Sequence, residues 1–163
     1  MTLRAVVGLG ANLGDRIASL RAAVALLGAV SQIEATSRVY ETKPVGGPPQ
    51  GDFLNAAVCV VWSGAPDDLL DALLAIEAGL GRVRRERWGP RIIDLDVLWI
   101  EGLAFASERL VVPHPRLLDR AFALVPLLEV VPGARDPRTG AALALSAEVA
   151  DVHAIGATHL TLR

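Results

Sequence analysis

Apolar positions change their spacing several times along the chain, and each change predicts an element. Residues 3–10 (LRAVVGLG) form a short apolar run closed by glycine, which predicts a buried strand. From Asp15 onward the apolar residues Ile17, Leu20, Val24 and Leu27 recur at steps of three and four, the spacing of one helix face. Gly28 is the expected stop of that helix. Residues 32–42 alternate, with Ile33, Ala35 and Val39 set against Glu34, Thr36 and Arg38, and predict one strand. A loop rich in glycine and proline follows (Pro44, Gly46, Gly47, Pro48, Pro49, Gly51). Residues 54–62 (LNAAVCVVW) then predict another apolar strand.

The next helix carries clear punctuation. Pro66 suits a first helical turn, and Asp67 and Asp68 favour the positive end of the helix dipole. Leu69, Leu73, Ile76 and Leu80 form its apolar stripe, and Gly81 ends it. After an arginine-rich loop over 82–91, residues 92–100 (IIDLDVLWI) predict a deeply buried strand. A turn at Glu101-Gly102, a short segment to Val112, the sequence Pro113-His114-Pro115, a helix over 116–124 and a short apolar element to Val131 complete the readable part. Residues 133–163 fit either a strand pair or a helix. The order strand, helix, strand, strand, helix, strand predicts an α+β fold. It is a ferredoxin-like α/β sandwich, one domain over 1–163, with a mainly antiparallel sheet and helices packed on one face.

Composition narrows the class. The chain has 163 residues with 16 Lys+Arg against 18 Asp+Glu, and 52% of its residues are hydrophobic, which excludes disorder. A chain of this length buries roughly 70% of its unfolded surface and needs no disulfide or structural metal. No apolar stretch approaches membrane-spanning length, and the N-terminal residues carry no cleavage pattern. The single cysteine, Cys59, lies in an apolar run and is expected to be packing. A cytoplasmic protein is expected. Of the 16 cations only Lys43 is lysine, and Arg82, Arg84, Arg85, Arg87 and Arg91 fall within ten residues. With a net charge of −2 and no basic stripe beyond that cluster, a compact anion fits better than a nucleic-acid duplex.

Asp94 and Asp96 are the strongest chemical signal. Residues two apart on a strand share a face, with Cα atoms roughly 6.5–7 Å apart. One face then reads Ile92, Asp94, Asp96, Leu98, Ile100, and the other, wholly apolar, reads Ile93, Leu95, Val97, Trp99. Two carboxylates in an apolar strand are costly unless paired or metal-bound. They hold magnesium against substrate phosphates, or they pair with the neighbouring arginines. The arginine loop is either a phosphate-binding lid or a solvated surface. The glycines of Gly8-Leu9-Gly10-Ala11-Asn12-Leu13-Gly14 match neither the dinucleotide fingerprint nor the P-loop, so they predict a tight strand-to-helix turn capped by Asn12 or Asp15. Phe53 and Phe122 are core residues or the two sides of a stack around a planar heterocycle, whose edge Asn55 would read. His114, between two prolines, is a phosphate contact or a surface residue. His153 and His159 carry no assignment.

The run Arg82-Val83-Arg84, then Arg87-Trp88-Gly89-Pro90-Arg91-Ile92-Ile93-Asp94-Leu95-Asp96, resembles the long signature of the hydroxymethyldihydropterin pyrophosphokinase family. Gly10-Ala11-Asn12-Leu13-Gly14, Tyr40-Glu41-Thr42 with Pro44, Phe53-Leu54-Asn55-Ala56 and Val112-Pro113-His114-Pro115-Arg116 match in the same order, followed by Arg120, Phe122 and Pro126-Leu127. The matching blocks cover roughly residues 3–132; the tail over 133–163 inherits no role.

The resemblance implies transfer of pyrophosphate from ATP to the hydroxymethyl group of a reduced pterin, with release of AMP, in folate synthesis. It implies Asp94 and Asp96 as ligands of two magnesium ions, and Arg82 and Arg91 as phosphate contacts, these four forming the catalytic set. It implies Glu77, Arg84, Trp88, Val97, Arg109, His114 and Arg120, with Arg91, as the ATP site, Arg84 and Trp88 lying on a mobile loop. It implies Thr42, Lys43, Val45, Phe53, Asn55 and Phe122, with Asp94, as the pterin site. Lys43 stands where many relatives have proline, Phe53 where some have tyrosine, and Leu74 and Val111 where some have polar residues. ATP and the pterin are the expected partners of a monomer, with no nucleic acid, membrane or obligate protein partner. Two other readings compete: a two-metal nucleotidyltransferase, and a non-catalytic ferredoxin-like module that binds RNA.

Overall fold

The computed structural model describes residues 1–44, 46–82, 88–145 and 153–159. Its centre is a six-stranded antiparallel sheet. β1 (Thr2–Ala11) runs between β5 (Asp94–Ile100) and β4 (Phe53–Ser63). β2 (Gln32–Thr36) and β3 (Arg38–Thr42) both pair with β4, and β8 (His153–His159) extends the sheet beyond β3. The strand order and the helices α1 (Arg16–Val30) and α2 (Pro66–Gly79) give the expected α+β, ferredoxin-like arrangement. A small hairpin, β6 (Phe105–Ala106) with β7 (Val111–Val112), follows β5.

Strand parity sorts the side chains into two layers. Leu3, Ala5, Val7 and Leu9 of β1 and Leu54, Ala56, Val58 and Val60 of β4 meet Leu20, Val24 and Leu27 of α1 and Leu69 and Leu73 of α2. The opposite face is covered too. Val6, Ala57 and Cys59 pack against Leu124, Leu127 and Val130 of α3 (Ala121–Val130). The helices therefore lie on both faces, not on one as expected. The alternation along β4 is hidden in its sequence because both of its faces are buried, so it reads as one apolar run.

Four local expectations change. Asp15 caps α1, accepting from Ala18 N at 3.0 Å, but Gly28 does not stop it. The helix runs on to Val30, where Ser31 turns extended and returns both its N–H and its hydroxyl to the Leu27 carbonyl. The strand expected over 32–42 is two strands, broken at Ser37. The Ser37 N–H donates to the Ala57 carbonyl while the Ser37 hydroxyl accepts from Ala57 N, so a side chain replaces one rung of the ladder. Register slips by one residue across it, from Thr36 opposite Val58 to Tyr40 opposite Asn55. The helix expected over 116–124 is interrupted at Arg120, whose extended backbone (φ −121°, ψ 91°) separates a short 3-10 turn, Leu117–Asp119, from α3. α3 absorbs the apolar element expected to follow it, with Pro126 buried inside.

The fourth change matters most for the site. β5 begins at Asp94 rather than Ile92 and carries a bulge. Val7 stands opposite Val97 but Val6 opposite Trp99, so Leu98 is an extra residue. Beyond it the faces exchange. Trp99 joins Leu98 in the α3 layer, and Ile100 joins Val97 in the α1–α2 layer, the reverse of the expectation for both. In the tail, Arg135 bridges to Ala142 and β8 forms a strand, so its described part follows the strand alternative.

Candidate active site

One line of register crosses the sheet from Tyr40 through Asn55 and Gly10 to Asp94, and the next runs from Ala57 through Gly8 to Asp96. These positions share the α3 face. Glycine and alanine thus floor a shallow patch, with amide and carboxylate groups rising at its two sides. A Cβ on Gly10 would lie 3.2 Å from Asn55 Oδ1, and one on Gly8 would lie 2.9 Å from the Leu98 side chain, so a side chain at either position would displace Asn55 or Leu98.

At the amide side, Asn55 is buried and its Nδ2 donates to Thr42 Oγ1 at 2.6 Å. That bond fixes which way the carboxamide faces. Phe53 lies one step along the same face of β4, half-buried, and Phe122 packs at the edge of the α3 layer. The Arg120 guanidinium sits 5.6 Å from the Phe122 ring centroid, a cation–π distance. Lys43 is exposed. Val45 and Arg84 lie outside the described residues.

At the carboxylate side, Asp94 accepts from Arg82 at 2.8 Å on one oxygen and from Arg91 at 2.6 Å on the other. Arg82 also donates to Glu77, an almost fully buried acid on α2, and Glu77 accepts from Leu95 N at 2.9 Å at the edge of the sheet. Burial pushes the Glu77 carboxyl up, while the Leu95 N–H and Arg82 pull it back. For Arg82, burial works against the charge, but Asp94 and Glu77 outweigh it and hold the guanidinium above its ordinary value.

Asp96 behaves differently. Among the described residues it joins no ion pair. Burial, then the charges of Asp94 and Glu77, raise its carboxyl to about 7, against opposing pulls from Arg120 and Arg91. A neighbouring cation would relieve this repulsion. Among the described residues no three His, Cys, Asp or Glu side chains converge as a cage. Asp96 offers an open carboxylate on the same face as Asp94, whose two oxygens are taken by Arg82 and Arg91; a magnesium ion held there would keep waters and substrate phosphates among its ligands.

A cavity of about 280 Å³ opens beside Asp96, with Leu70 and Val97 on its apolar wall and Arg109, Val111 and His114 around it. The bulge places His114 there, because the carbonyl of Leu98 accepts from His114 N at 2.8 Å. His114 Nδ1 accepts from Arg116 N, leaving Nε2 as the ring's donor, and burial followed by the charge of Arg120 lowers its basicity. Arg120 is itself lowered by burial and by Arg116. Arg109 is exposed and donates to Asp71 of α2, four residues before which Asp67 accepts from Ser107.

The structure therefore joins Glu77, Arg82, Arg91 and Asp94 in one network and Thr42 with Asn55 in another. Asp96, Val97, Arg109 and His114 share a cavity. Sequence reasoning missed Asn12 and Gln50. Asn12 is not a cap but a buried junction between loops, and Gln50 Nε2 donates to the Trp88 carbonyl at 2.8 Å. Trp88 is 44% exposed and has φ +59°, and it lies against Gly46 and Gly47. The only sequence signal for this junction was an asparagine inside a glycine-rich turn.

Comparison with known proteins identifies the family and the fold. Residues 6–132 match the family model described as 7,8-dihydro-6-hydroxymethylpterin-pyrophosphokinase. The chain is 50% identical over 131 residues to the 2-amino-4-hydroxy-6-hydroxymethyldihydropteridine pyrophosphokinase of Methylorubrum extorquens, covering 79% of this chain and 83% of the relative. It is 41% identical over 153 residues to the Synechocystis protein of the same name, covering 93% and 78%. A crystal structure of Plasmodium falciparum HPPK-DHPS with pteroate shares the fold, with TM-score 0.70 and 16% identity over 88% of this chain. The chain spans about two-fifths of that longer protein, 41%. With the family model matching residues 6–132, a range that includes Arg82, Arg91, Asp94 and Asp96, this chain belongs to the 7,8-dihydro-6-hydroxymethylpterin-pyrophosphokinase family.

Proposed function

We propose that the chain transfers the β,γ-diphosphate of ATP to the hydroxymethyl group of 6-hydroxymethyl-7,8-dihydropterin, in folate synthesis. The observation that carries this reading is the position of Asp94 and Asp96. Asp94 stands opposite Gly10, on the register line that leads to Asn55, and Asp96, two residues on along the same face, borders a cavity flanked by Leu70 and Val97. The pterin ring occupies the patch along that line, its edge read by Asn55 and the Thr42 region and its faces covered by Phe53 and Phe122. The nucleoside occupies the cavity, with its phosphates running toward Asp96, His114, Arg91 and Arg120. The roles expected of Lys43, Val45, Arg84, Trp88 and Arg109 belong to the same proposal.

The substrate hydroxyl attacks the β-phosphorus. The bond from that phosphorus to the α–β bridging oxygen breaks, AMP leaves with the oxygen, and the hydroxyl proton is released. Asp94 and Asp96 would hold magnesium, expected as two ions, which when bound neutralises phosphate charge and favours the alkoxide-like nucleophile. Arg82 and Arg91 hold Asp94 in place and offer planar donors to phosphate oxygens. Reactions of this kind depend on positioning and charge stabilisation, so a site without a nucleophile triad suits it. The same reading has one domain acting as a monomer in the cytoplasm. No helix among the described residues is long and apolar enough to cross a membrane.

Incubation with ATP, magnesium and the hydroxymethyl pterin, with products identified by mass, tests the proposal. AMP and the pterin diphosphate are expected. Release of inorganic pyrophosphate without AMP would replace it with nucleotidyl transfer, and the absence of turnover would overturn it.

A further inference from the structure

Two carboxylates of α2 reach the turn between β6 and β7. Asp67 Oδ1 accepts from the Ser107 hydroxyl at 2.8 Å, and Asp71 accepts from the Arg109 guanidinium. Residues four apart on a helix are neighbours on one face, which lets both acids meet the same turn. Leu70, beside Asp71 in the chain, lines the cavity next to Asp96, and so do Ser107, Arg109 and Leu110. One short stretch of α2 therefore carries a wall of that cavity together with the anchors of its opposite border.

Ser107 uses its hydroxyl to capacity. Having donated to Asp67, the oxygen accepts from Arg109 N at 3.2 Å and from Leu110 N at 3.1 Å. Ser107 N donates in turn to the Leu110 carbonyl at 2.8 Å, and the Leu110 side chain is buried in the α1–α2 layer. Arg109 is thus held at both ends, its backbone through Ser107 and its guanidinium through Asp71. Pairing alone would not do this, because β6 and β7 have 2 residues each and so short a hairpin is not stable by itself.

We propose that Asp71 and Ser107 are positioning residues that preset Arg109 for the nucleotide. The inference rests on the functional reading above, which puts the nucleotide in this cavity. It reaches further by assigning the aim of Arg109 to two side chains that carry no role in that reading. A free arginine loses rotamer freedom when it grips an anion; here that ordering precedes binding. Charge alone would give the opposite sign. A carboxylate near a triphosphate repels it, so an Asp71 that were only a surface charge would weaken nucleotide binding, and its removal would strengthen it. The pair is also too open to matter much for stability, with 49% of the Arg109 side chain and 57% of that of Asp71 exposed.

The test measures, by calorimetry on the full chain, dissociation constants for a non-hydrolysable ATP analogue with magnesium. Asp71→Ala is expected to weaken binding about two- to tenfold, the cost of ordering one arginine at the moment of binding. Asp71→Asn keeps an acceptor for Arg109 without the charge and should stay within about twofold of wild type. Ser107→Ala should weaken binding by a similar factor to Asp71→Ala, and Ser107→Thr, which keeps the hydroxyl, should restore it. In an Arg109→Ala background, Asp71→Ala should no longer weaken binding, since its effect passes through Arg109. In steady state the change should fall on the KM for ATP, with kcat and the KM for the pterin within about twofold. The melting temperature of Asp71→Ala should stay within about 3 °C of wild type.

Tighter or unchanged binding in either alanine variant overturns the role of that residue. An equal weakening in the Arg109→Ala background overturns the route through Arg109. If the wild type does not bind the analogue, the functional reading falls and takes the inference with it. If the wild type binds and turns over while Asp71→Ala and Ser107→Ala bind as well as it does, only the inference falls.

Discussion

The guanidinium of Arg91 donates to the Asp94 carboxylate at 2.6 Å across the junction where the arginine loop becomes β5. The residue expected to meet phosphate is thereby anchored to the residue expected to meet metal. Removing it should act on the reaction more than on pterin binding. Arg91→Ala is expected to lower kcat about a hundredfold or more, a loss typical of a charge-assisted contact made in the transition state. The KM for the pterin should move by less than about threefold. Steady-state kinetics with each substrate varied decides, and an unchanged kcat would remove Arg91 from the phosphates.

Asp96 sets a pH dependence. Its carboxyl is raised to about 7, first by burial and then by Asp94 and Glu77. The fold therefore favours the neutral acid. The associated stability is complete below the ordinary carboxylate range and is lost as pH rises through about 7. Asp96→Asn should raise the melting temperature of the metal-free protein by a margin that grows from pH 4 to neutrality and levels off above it. The same change should abolish most turnover. A thermal melt series across pH checks the first part, and a margin that shrinks toward neutrality would contradict it.

Thr42 orients Asn55 through a 2.6 Å bond. Thr42→Val keeps the shape and removes the acceptor. The loss of one such bond is worth about 0.5–1.5 kcal/mol, so pterin affinity should weaken up to about tenfold with kcat nearly unchanged. Fluorescence titration with the pterin measures it. A fall in kcat without loss of affinity would show that the pair serves the chemistry instead.

Tyr40 ties β3 to α3. Its hydroxyl donates to Glu129, which also accepts from Arg38 N at 2.9 Å. Tyr40→Phe leaves Glu129 with its Arg38 partners and is expected to cost about 1 kcal/mol of stability. Activity at low temperature should persist, since the hydroxyl lies away from the register line's reacting end. Denaturant unfolding checks the first statement, and a stability unchanged from wild type would mean that the bond is not formed in solution.

The order of elements and the acidic strand were legible because each rests on a local pattern: periodicity, capping residues, or charge adjacent to apolar residues. What was not legible involved choices between equivalent partners. Ser37 imitates a backbone carbonyl, which no alternation records. Leu98 is one apolar residue among several, and only the pairing partner decides that it is the extra one. The third helix covers the second face of the sheet because β1 and β4 are apolar on both sides, yet an apolar run cannot say what covers it. The role of Asn12 depends on two loops that are close in space and far apart in sequence.

The extra residue in β5 makes one ribbon serve two unrelated packing problems. Ahead of Leu98, odd and even positions divide between hydrocarbon and carboxylate; behind it, the division is inverted. Excision of Leu98 would restore a regular alternation, with Trp99 following Val97 directly and keeping its indole under α3 while Ile100 stays in the α1–α2 interior, and would withdraw the carbonyl that tethers His114. Asp94 and Asp96, upstream, would keep their rungs on β1. The acidic end of this strand and its anchoring end are thus separable by mutation, and each can vary without dragging the other out of register.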